Sequence, residues 1–284
     1  MAAGFAAALA ATGLAAGLAA AGGNLGGGAG QVYLSPEMAR VFEAAQKIYF
    51  PAVHTREPYA SGRGAKRSPM YEREVELGGH FMELGGWERA HGYAANEHLL
   101  EKYGDRVPVR ENEWDNRHFW RVSNAEHLAM SEDCGIVNLS HFHMVDIEGP
   151  DHVELLEWLC AARIGGDANV GKGIYTHFLD DEGMVRADFT VFRLADRCRL
   201  VNGADAGPRD FHYMKRVAQD RGLDVTITDT SEKYITIGIW GPNARVTLKK
   251  AVADPAGLDP ENFPFAAIKQ IEIAGKSVTA FRIS

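Results

Sequence analysis

The chain has 284 residues, 46% of them hydrophobic and 24% charged, and a formal net charge of −8. This length allows one large domain or two small ones, and the composition is that of an ordinary globular protein. The acidic balance argues against broad binding to nucleic acid or to an anionic membrane, which attract basic surfaces, although the 30 Lys and Arg residues suffice for a local anion pocket.

The three cysteines, Cys134, Cys160 and Cys198, lie far apart and have no CxxC spacing. An odd number at this spacing excludes a disulfide framework and a zinc knuckle, and it fits a reducing compartment. We interpret all three as small core or strand residues.

Residues 1–34 form a low-complexity leader rich in Ala and Gly. The uncharged run from Met1 to Gly30 is long enough to raise the question of a transmembrane or signal segment. No Lys or Arg precedes it, and Ala and Gly insert poorly into membranes. We therefore expect no stable membrane insertion; a secretory signal is the alternative.

Regular structure is predicted from Ser35 onward. Ser35, Pro36 and Glu37 combine a capping hydroxyl, a proline in the first turn and an acid near the positive end of the helix dipole. They predict a helix over 35–49 that ends before Pro51. A short helix over 71–77 and an extended piece over 80–84, between two glycine pairs, follow.

The pattern becomes mixed α/β after about residue 120. A helix is predicted over 125–132, and a strand, a Gly-Pro turn and a helix then occur twice, at 145–159 and 237–250, which suggests two similar α+β lobes. The first of these helices places Leu155, Leu156 and Leu159 on one face. The remaining predicted elements are an antiparallel meander over 173–178, 185–194 and 197–202, a helix over 211–221, a strand over 224–228 and paired strands over 267–273 and 277–283.

No nucleotide or metal motif stands out. GxSxG, P-loop and strand-linked GxGxxG signatures are absent from the sequence. His141 and His143 at i and i+2 share one side of a strand and would suit a metal, but no third ligand is recognisable nearby. We favour a structural or surface role for both and predict no metal site.

Asp188 is the most unusual local feature, because the rest of the run 185–191 suits a half-buried strand. Alternation places Asp188 on one face with Arg186 and Thr190, opposite Phe189 and Val191. An acid at this position is either solvated on an open face or held in a cleft to handle a proton or a cation. The pattern alone favours the open face.

The run Tyr175-Thr176-His177-Phe178-Leu179, followed by Asp188-Phe189-Thr190-Val191, resembles the folate-site segment of the glycine-cleavage T-protein (aminomethyltransferase) superfamily. Upstream, Arg67-Ser68-Pro69-Met70-Tyr71 and Gly85-Gly86-Trp87-Glu88-Arg89-Ala90 resemble the segment that joins the flavin and folate parts of dimethylglycine and sarcosine dehydrogenases. The resemblance covers about residues 35 to 284. Its collinear order is more specific than any single piece.

This resemblance implies an α+β, T-protein-like folate-binding fold with antiparallel sheets and flanking helices, in which tetrahydrofolate occupies the central hole of three lobes. It implies that Tyr175 grips the pterin and that Asp188 is the catalytic aspartate, with Arg186 and Gly203 as further cofactor-binding candidates. A carboxylate there would orient the reacting amine, take up its proton and stabilise positive charge. An ordinary strand aromatic is the alternative for Tyr175.

We predict three parts: the leader 1–34, a linker 35–110 resembling the end of a flavin oxidoreductase part, and a folate-binding domain 111–284. Family members continue past the position of Ser284 with a Thr-Gly-Glu-Leu-Gly-type segment and a third lobe. We therefore interpret the chain as a fragment, incomplete at its C-terminus and inactive alone. Its expected cofactors are tetrahydrofolate in this part and FAD in a missing upstream domain of the same or a partner chain.

The leading functional hypothesis is a one-carbon (methylene) transfer module of a flavin-linked dimethylglycine/sarcosine dehydrogenase-like enzyme. Its substrate would be a small methylated amine or its iminium, in the bacterial cytoplasm or the mitochondrial matrix. A stand-alone aminomethyltransferase or demethylase of the same superfamily is the first alternative. A non-catalytic protein that uses the folate fold for binding or assembly is an alternative of another class.

Overall fold

The computed structural model describes residues 24–25, 32–33, 38, 40, 63–113, 120–204 and 206–284. The chain divides into two compact units, residues 1–124 and 125–284. Of the leader 1–34, only two short paired strands, β1 (Asn24–Leu25) and β2 (Val32–Tyr33), are among the described residues. The helix predicted over 35–49 lies outside them, apart from Met38 and Arg40, which are helical.

A helix and a hairpin form the centre of the first unit. Helix α1 (Tyr71–Glu76) confirms the short helix predicted there. The strands β3 (Gly79–Leu84) and β4 (Trp87–Tyr93) pair antiparallel around Gly85 and Gly86. Both glycines have positive φ, 61° and 90°, a conformation that favours glycine, so the pair makes the tight turn. Helix α2 (Leu99–Tyr103) follows.

Two buried acids face each other directly across this hairpin, Glu83 on β3 and Glu88 on β4. Like charges in such a pair repel, and each carboxylate is therefore matched by an arginine. Arg63 donates to both oxygens of Glu88 at 2.9 and 2.6 Å, and Arg40 Nε lies 2.8 Å from Glu83 Oε1. A network of four charged residues therefore stabilises the hairpin.

A five-stranded antiparallel sheet, with strand order β10-β6-β9-β8-β7, is the frame of the second unit. From residue 135 to residue 229 the strands of this unit are β5 (Gly135–Asn138), β6 (His143–Glu148), β7 (Lys172–Leu179), β8 (Val185–Arg193), β9 (Cys198–Asn202) and β10 (Thr226–Asp229). The predicted meander is confirmed as β7, β8 and β9. Strand β6 lies beside β9, so the sheet order departs from the chain order.

Two helices pack on one side of this sheet and enclose the core. Leu155, Leu156 and Leu159 are fully buried, as their spacing predicts. The helices of this part of the chain are α3 (Arg121–Glu132), which confirms the one predicted over 125–132, α4 (His152–Leu159), α5 (Gly207–Asp220), which confirms the one predicted over 211–221, and α6 (Ala244–Lys249). The core helices are α4 and α5, and in the core the rings of Phe178 and Phe189 stack with centroids 4.1 Å apart.

The start of α5 is fitted closely against β6. Pro208 lies in its first turn, where a proline costs no hydrogen bond. A β-carbon on the preceding Gly207 would lie 2.2 Å from the buried imidazole of His143. Only glycine allows the helix to begin this close to the strand.

Two small antiparallel sheets complete the unit. Strand β11 (Ile237–Trp240) pairs with β5, and β12 (Ile268–Ile273) forms the predicted hairpin with β13 (Lys276–Phe281). The strand, Gly-Pro and helix unit occurs twice, as β6 to α4 and β11 to α6, but β6 and β11 belong to different sheets. The predicted α+β class with antiparallel sheets and flanking helices is confirmed. Across the described ranges, no helix is long and apolar enough to cross a membrane.

Candidate functional site

The five-stranded sheet carries its core on one face and polar and aromatic side chains on the other. Alternation along β8 buries Phe189 and Val191 against the helices and leaves Asp188 exposed and Thr190 half-buried on the opposite face. We call this opposite side the polar face. It carries Asp146, Tyr175, His177, Asp188, Thr190 and Arg199.

Two of the residues predicted from the sequence meet on the polar face, Tyr175 and Asp188. The hydroxyl of Tyr175 donates to Oδ2 of Asp188 at 3.2 Å, and the tyrosine is 62% exposed. The charge of Asp188 raises the pKa of Tyr175 above its ordinary value of 10. The phenol therefore keeps its proton at neutral pH, as a donor to the carboxylate.

His177 adds a third polar side chain to this pair. It is the cross-strand partner of Asp188, and its ring meets that of Tyr175 edge-on with centroids 5.3 Å apart. Sequence reasoning quoted His177 only as part of a motif. Its spacing of two residues from Tyr175 on a strand was the signal that could have identified it.

Arg186 takes a different direction from the one that alternation predicts. Phe178 pairs with Ala187 and Leu179 with Val185, so a β-bulge leaves Arg186 without an opposite residue. Its guanidinium lies 4.2 Å from the ring of Tyr213 on α5, the helix that packs on the core side. The expectation that Arg186 lies on the same face as Asp188 therefore fails at the bulge, and its role in cofactor binding stays a prediction.

Gly203 directly follows β9 and is exposed. On β8 and β9 the last pair at this end is Thr190 with Val201. Gly203 lies two residues beyond Val201, just as Asp188 lies two residues before Thr190. The glycine is thus at the end of β9 nearest to Asp188, and its role in cofactor binding also stays a prediction.

A buried ion pair on the same face was missed by sequence reasoning. Arg199 on β9 donates from Nε and Nη2 to the two carboxylate oxygens of Asp146 on β6, at 2.6 and 2.8 Å. Its Nη2 also donates to the hydroxyl of Tyr234 at 2.6 Å, and the guanidinium lies 4.0 Å from that ring. The hydrogen bond with Asp146 raises the pKa of Arg199, which is therefore always charged.

The two histidines weighed as metal ligands lie away from this cluster. His143 is buried on the core side of β6, with Nε2 3.3 Å from Oδ2 of Asp229. His141 is buried just before the strand. In the part of the chain that the structure describes, no group of three or more His, Cys, Asp or Glu side chains is placed to hold a metal ion.

The sequence matches a known protein family and several known proteins. Residues 70–284 match the family model described as GCVT N-terminal domain. The 4-methylaminobutanoate oxidase (formaldehyde-forming) of Paenarthrobacter nicotinovorans is 29% identical over 225 residues, 79% of this chain and 26% of the oxidase. Mitochondrial dimethylglycine dehydrogenase of Rattus norvegicus is 28% identical over 236 residues, 81% of this chain and 26% of the dehydrogenase.

An aminomethyltransferase of Bordetella bronchiseptica is 28% identical over 181 residues, 63% of this chain and 42% of the relative. The chain therefore spans less than half the length of each of these relatives. Among solved structures, glycine cleavage system aminomethyltransferase T from Bartonella henselae matches with a TM-score of 0.54 and 22% identity, over 72% of this chain and 46% of that chain. This likeness shows the fold and confirms the predicted T-protein-like architecture. Because the family model covers well over half of its residues, the chain belongs to the GCVT N-terminal domain family.

Proposed function

We propose that this chain is the tetrahydrofolate-dependent methylene-transfer module of a flavin-linked enzyme that oxidises N-methylated amino acids, similar to dimethylglycine and sarcosine dehydrogenases. The observation that carries the proposal is the hydrogen bond from Tyr175 to Asp188 on the polar face. This pair of residues combines an exposed aromatic ring, which suits a flat ligand, with an exposed carboxylate, which suits a ligand that is cationic or releases a proton.

The residues present fit a reduced folate and an iminium partner. Bound tetrahydrofolate would supply the nucleophilic nitrogen that captures the one-carbon unit. The carboxylate of Asp188 would stabilise positive charge at the reacting nitrogen and accept the proton released there. Tyr175, as a donor, holds that carboxylate in one orientation and leaves its second oxygen for the ligand.

The oxidase and dehydrogenase relatives support the flavin-linked context. The match to dimethylglycine dehydrogenase covers 81% of this chain, whereas the match to the Bordetella aminomethyltransferase covers 63%. The names of the two relatives contain dimethylglycine and 4-methylaminobutanoate, both N-methylated amino acids, which favours that substrate class. FAD would then be bound by another part of the protein, with 35–110 as the linker to it.

A stand-alone aminomethyltransferase is the second candidate, favoured by the likeness to the Bordetella proteins and to the Bartonella fold. In either case the compartment that we propose is the bacterial cytoplasm or the mitochondrial matrix. Both candidates use the same site. They differ in whether a flavin reaction delivers the one-carbon unit.

The test is calorimetric titration of the 284-residue chain with tetrahydrofolate under anaerobic conditions. We expect the unaltered chain to bind and Asp188→Asn to weaken binding about tenfold, the size expected for a charged hydrogen bond. Asp181→Asn is the matched control, because Asp181 is an exposed acid in the turn between β7 and β8. Failure of the unaltered chain to bind, or equal affinities for Asp188→Asn and the unaltered chain, would contradict the proposal.

A further inference from the structure

A second partly exposed tyrosine, Tyr234, contacts Arg199 of the polar face, and the proposed function does not use it. We propose that Tyr234, held by Arg199 and Asp146, forms the wall of the folate cleft opposite Tyr175 and contacts the ring system of the ligand. This inference rests on the proposed function and extends it to a residue that decides which ring systems fit.

Strand register places Tyr175, and the contact with Arg199 places Tyr234, on either side of a floor of strand residues. Tyr175 is in one row with Thr190 and Val201, and Arg199 is one row further along β9. Two strand spacings of nearly 5 Å and one two-residue step of about 7 Å put the backbones of Tyr175 and Arg199 about 12 Å apart. The side chains between them on this face are Thr190 and Phe192 of β8 and Val201 of β9, all half-buried. In this proposal the flat bicyclic ring of the ligand lies on this floor.

A third ring closes the far end of the floor. Phe281 of β13 lies over Gly173, where a β-carbon would be 2.3 Å from its ring, and it also contacts Phe192 with centroids 4.8 Å apart. Gly173 and Phe192 are in the same row as Arg199. The floor is therefore bounded by aromatic side chains at this end and open towards Asp188.

Arg199 and Asp146 act as positioning residues because they have little left to offer a ligand. They are 9% and 5% exposed, and both carboxylate oxygens accept from the guanidinium. A bidentate pair fixes the plane of the guanidinium, and that plane lies over the ring of Tyr234. Tyr234 itself is 38% exposed, which leaves part of its ring free for contact.

The test compares Tyr234→Leu with Tyr234→Phe by titration with tetrahydrofolate and with p-aminobenzoylglutamate, which lacks the pterin ring. We expect Tyr234→Leu to raise the Kd for tetrahydrofolate about tenfold, the effect of losing one stacking partner. Tyr234→Phe keeps the ring and is expected to stay within about threefold of the unaltered chain. Neither change should alter the Kd for p-aminobenzoylglutamate.

Trp158→Leu is the matched control. Trp158 on α4 is also an exposed aromatic ring with an arginine over it, Arg221 at 3.9 Å, but it lies in the helix layer on the core side of the sheet. We expect its affinity for tetrahydrofolate to equal that of the unaltered chain. An unchanged Kd in Tyr234→Leu, or an equal loss in Trp158→Leu, overturns the inference.

A second measurement needs no variant. Amide hydrogen exchange of residues 231–236 in the unaltered chain should slow when tetrahydrofolate is saturating, and an unchanged rate overturns the inference. If the unaltered chain binds no tetrahydrofolate, this inference and the proposed function both fail. If binding depends on Asp188 and not on Tyr234, this inference alone fails.

Discussion

Tyr175 reaches Asp188 diagonally: its own cross-strand partner is Thr190, and the partner of Asp188 is His177. A diagonal neighbour on a sheet lies within reach of an aromatic side chain, and the small Thr190 leaves the path clear. The hydrogen bond therefore joins two rows of the polar face. The phenol and the carboxylate are set by backbone pairing rather than by a flexible loop.

The first prediction concerns the ionisation of Tyr175. The pKa of this phenol is raised mainly by the charge of Asp188, because a phenolate next to a carboxylate is repelled. Asp188→Asn should therefore lower the pKa of Tyr175 towards 10. Ultraviolet titration of the tyrosines, with Tyr175→Phe to assign the signal among the nine, measures this. An unchanged titration in Asp188→Asn would contradict the contact.

The second prediction concerns acid stability of the hairpin in the first unit. The hydrogen bond from Arg63 lowers the pKa of Glu88 below its ordinary value of 4.5. A lowered carboxylate pKa stabilises the fold above the ordinary value, and this contribution is lost as the pH falls through the lowered one. Glu88→Gln should therefore destabilise the hairpin at pH 7 and lose less stability than the unaltered chain below pH 4.5.

Amide hydrogen exchange of residues 79–93 between pH 3 and pH 7 follows this hairpin directly. Glu76→Gln is the control, because Glu76 and its ion-pair partner Arg73 both have exposed side chains. Such a pair contributes less than about 1 kcal/mol, so the control should follow the unaltered chain. Parallel pH profiles of hydrogen exchange for Glu88→Gln and the unaltered chain would contradict a contribution of the Glu88 carboxylate to the stability of the hairpin.

The third prediction tests the close fit of α5 on β6. Gly207→Ala places a methyl group where the imidazole of His143 lies, and overpacking of this kind costs about 1–3 kcal/mol. Thermal unfolding should show the loss. In a His143→Ala background the same change should cost much less, because the ring that obstructs the methyl group is gone. Equal costs in the two backgrounds would show that the contact is unimportant.

The fourth prediction concerns the thiols. Burial raises the pKa of Cys160 to about 12 and that of Cys198 to about 11. Only a thiolate is a good nucleophile, so iodoacetamide at pH 8 should leave both unmodified in the folded chain and alkylate both in urea. Mass spectrometry of the peptides gives the two rates. Equal rates for Cys198 in the folded and unfolded chain would contradict its burial.

Local patterns predicted the parts of the site that lie on consecutive strands. Alternation and short turns are read from neighbouring residues, and β7, β8 and β9 follow one another in the chain, so the placement of Tyr175 and Asp188 on one sheet could be predicted. The ion pair between Asp146 and Arg199 could not. Its partners are 53 residues apart and meet because β6 lies beside β9, which no local pattern encodes.

Charge and backbone irregularity caused the other differences. Strand β4 carries Glu88 and Arg89, which interrupt apolar alternation. The burial of Glu88 is explained by its hydrogen bonds from Arg63 and from the backbone N–H of Gly64. At Arg186 a single extra residue on β8 redirects the side chain towards α5. A bulge depends on the pairing partner as well as on the strand itself, so alternation along β8 alone does not predict it.

Successive residues of β8 lie on opposite faces of the sheet and therefore tolerate different substitutions. Substitutions at 189 and 191 change a packed core, whereas substitutions at 188 and 190 change the polar face. In a saturation scan of this strand, the tolerance of folding to substitution should therefore alternate from one residue to the next. A protein arranged in this way can diversify the molecules that it handles through every second residue, while the intervening ones preserve its architecture.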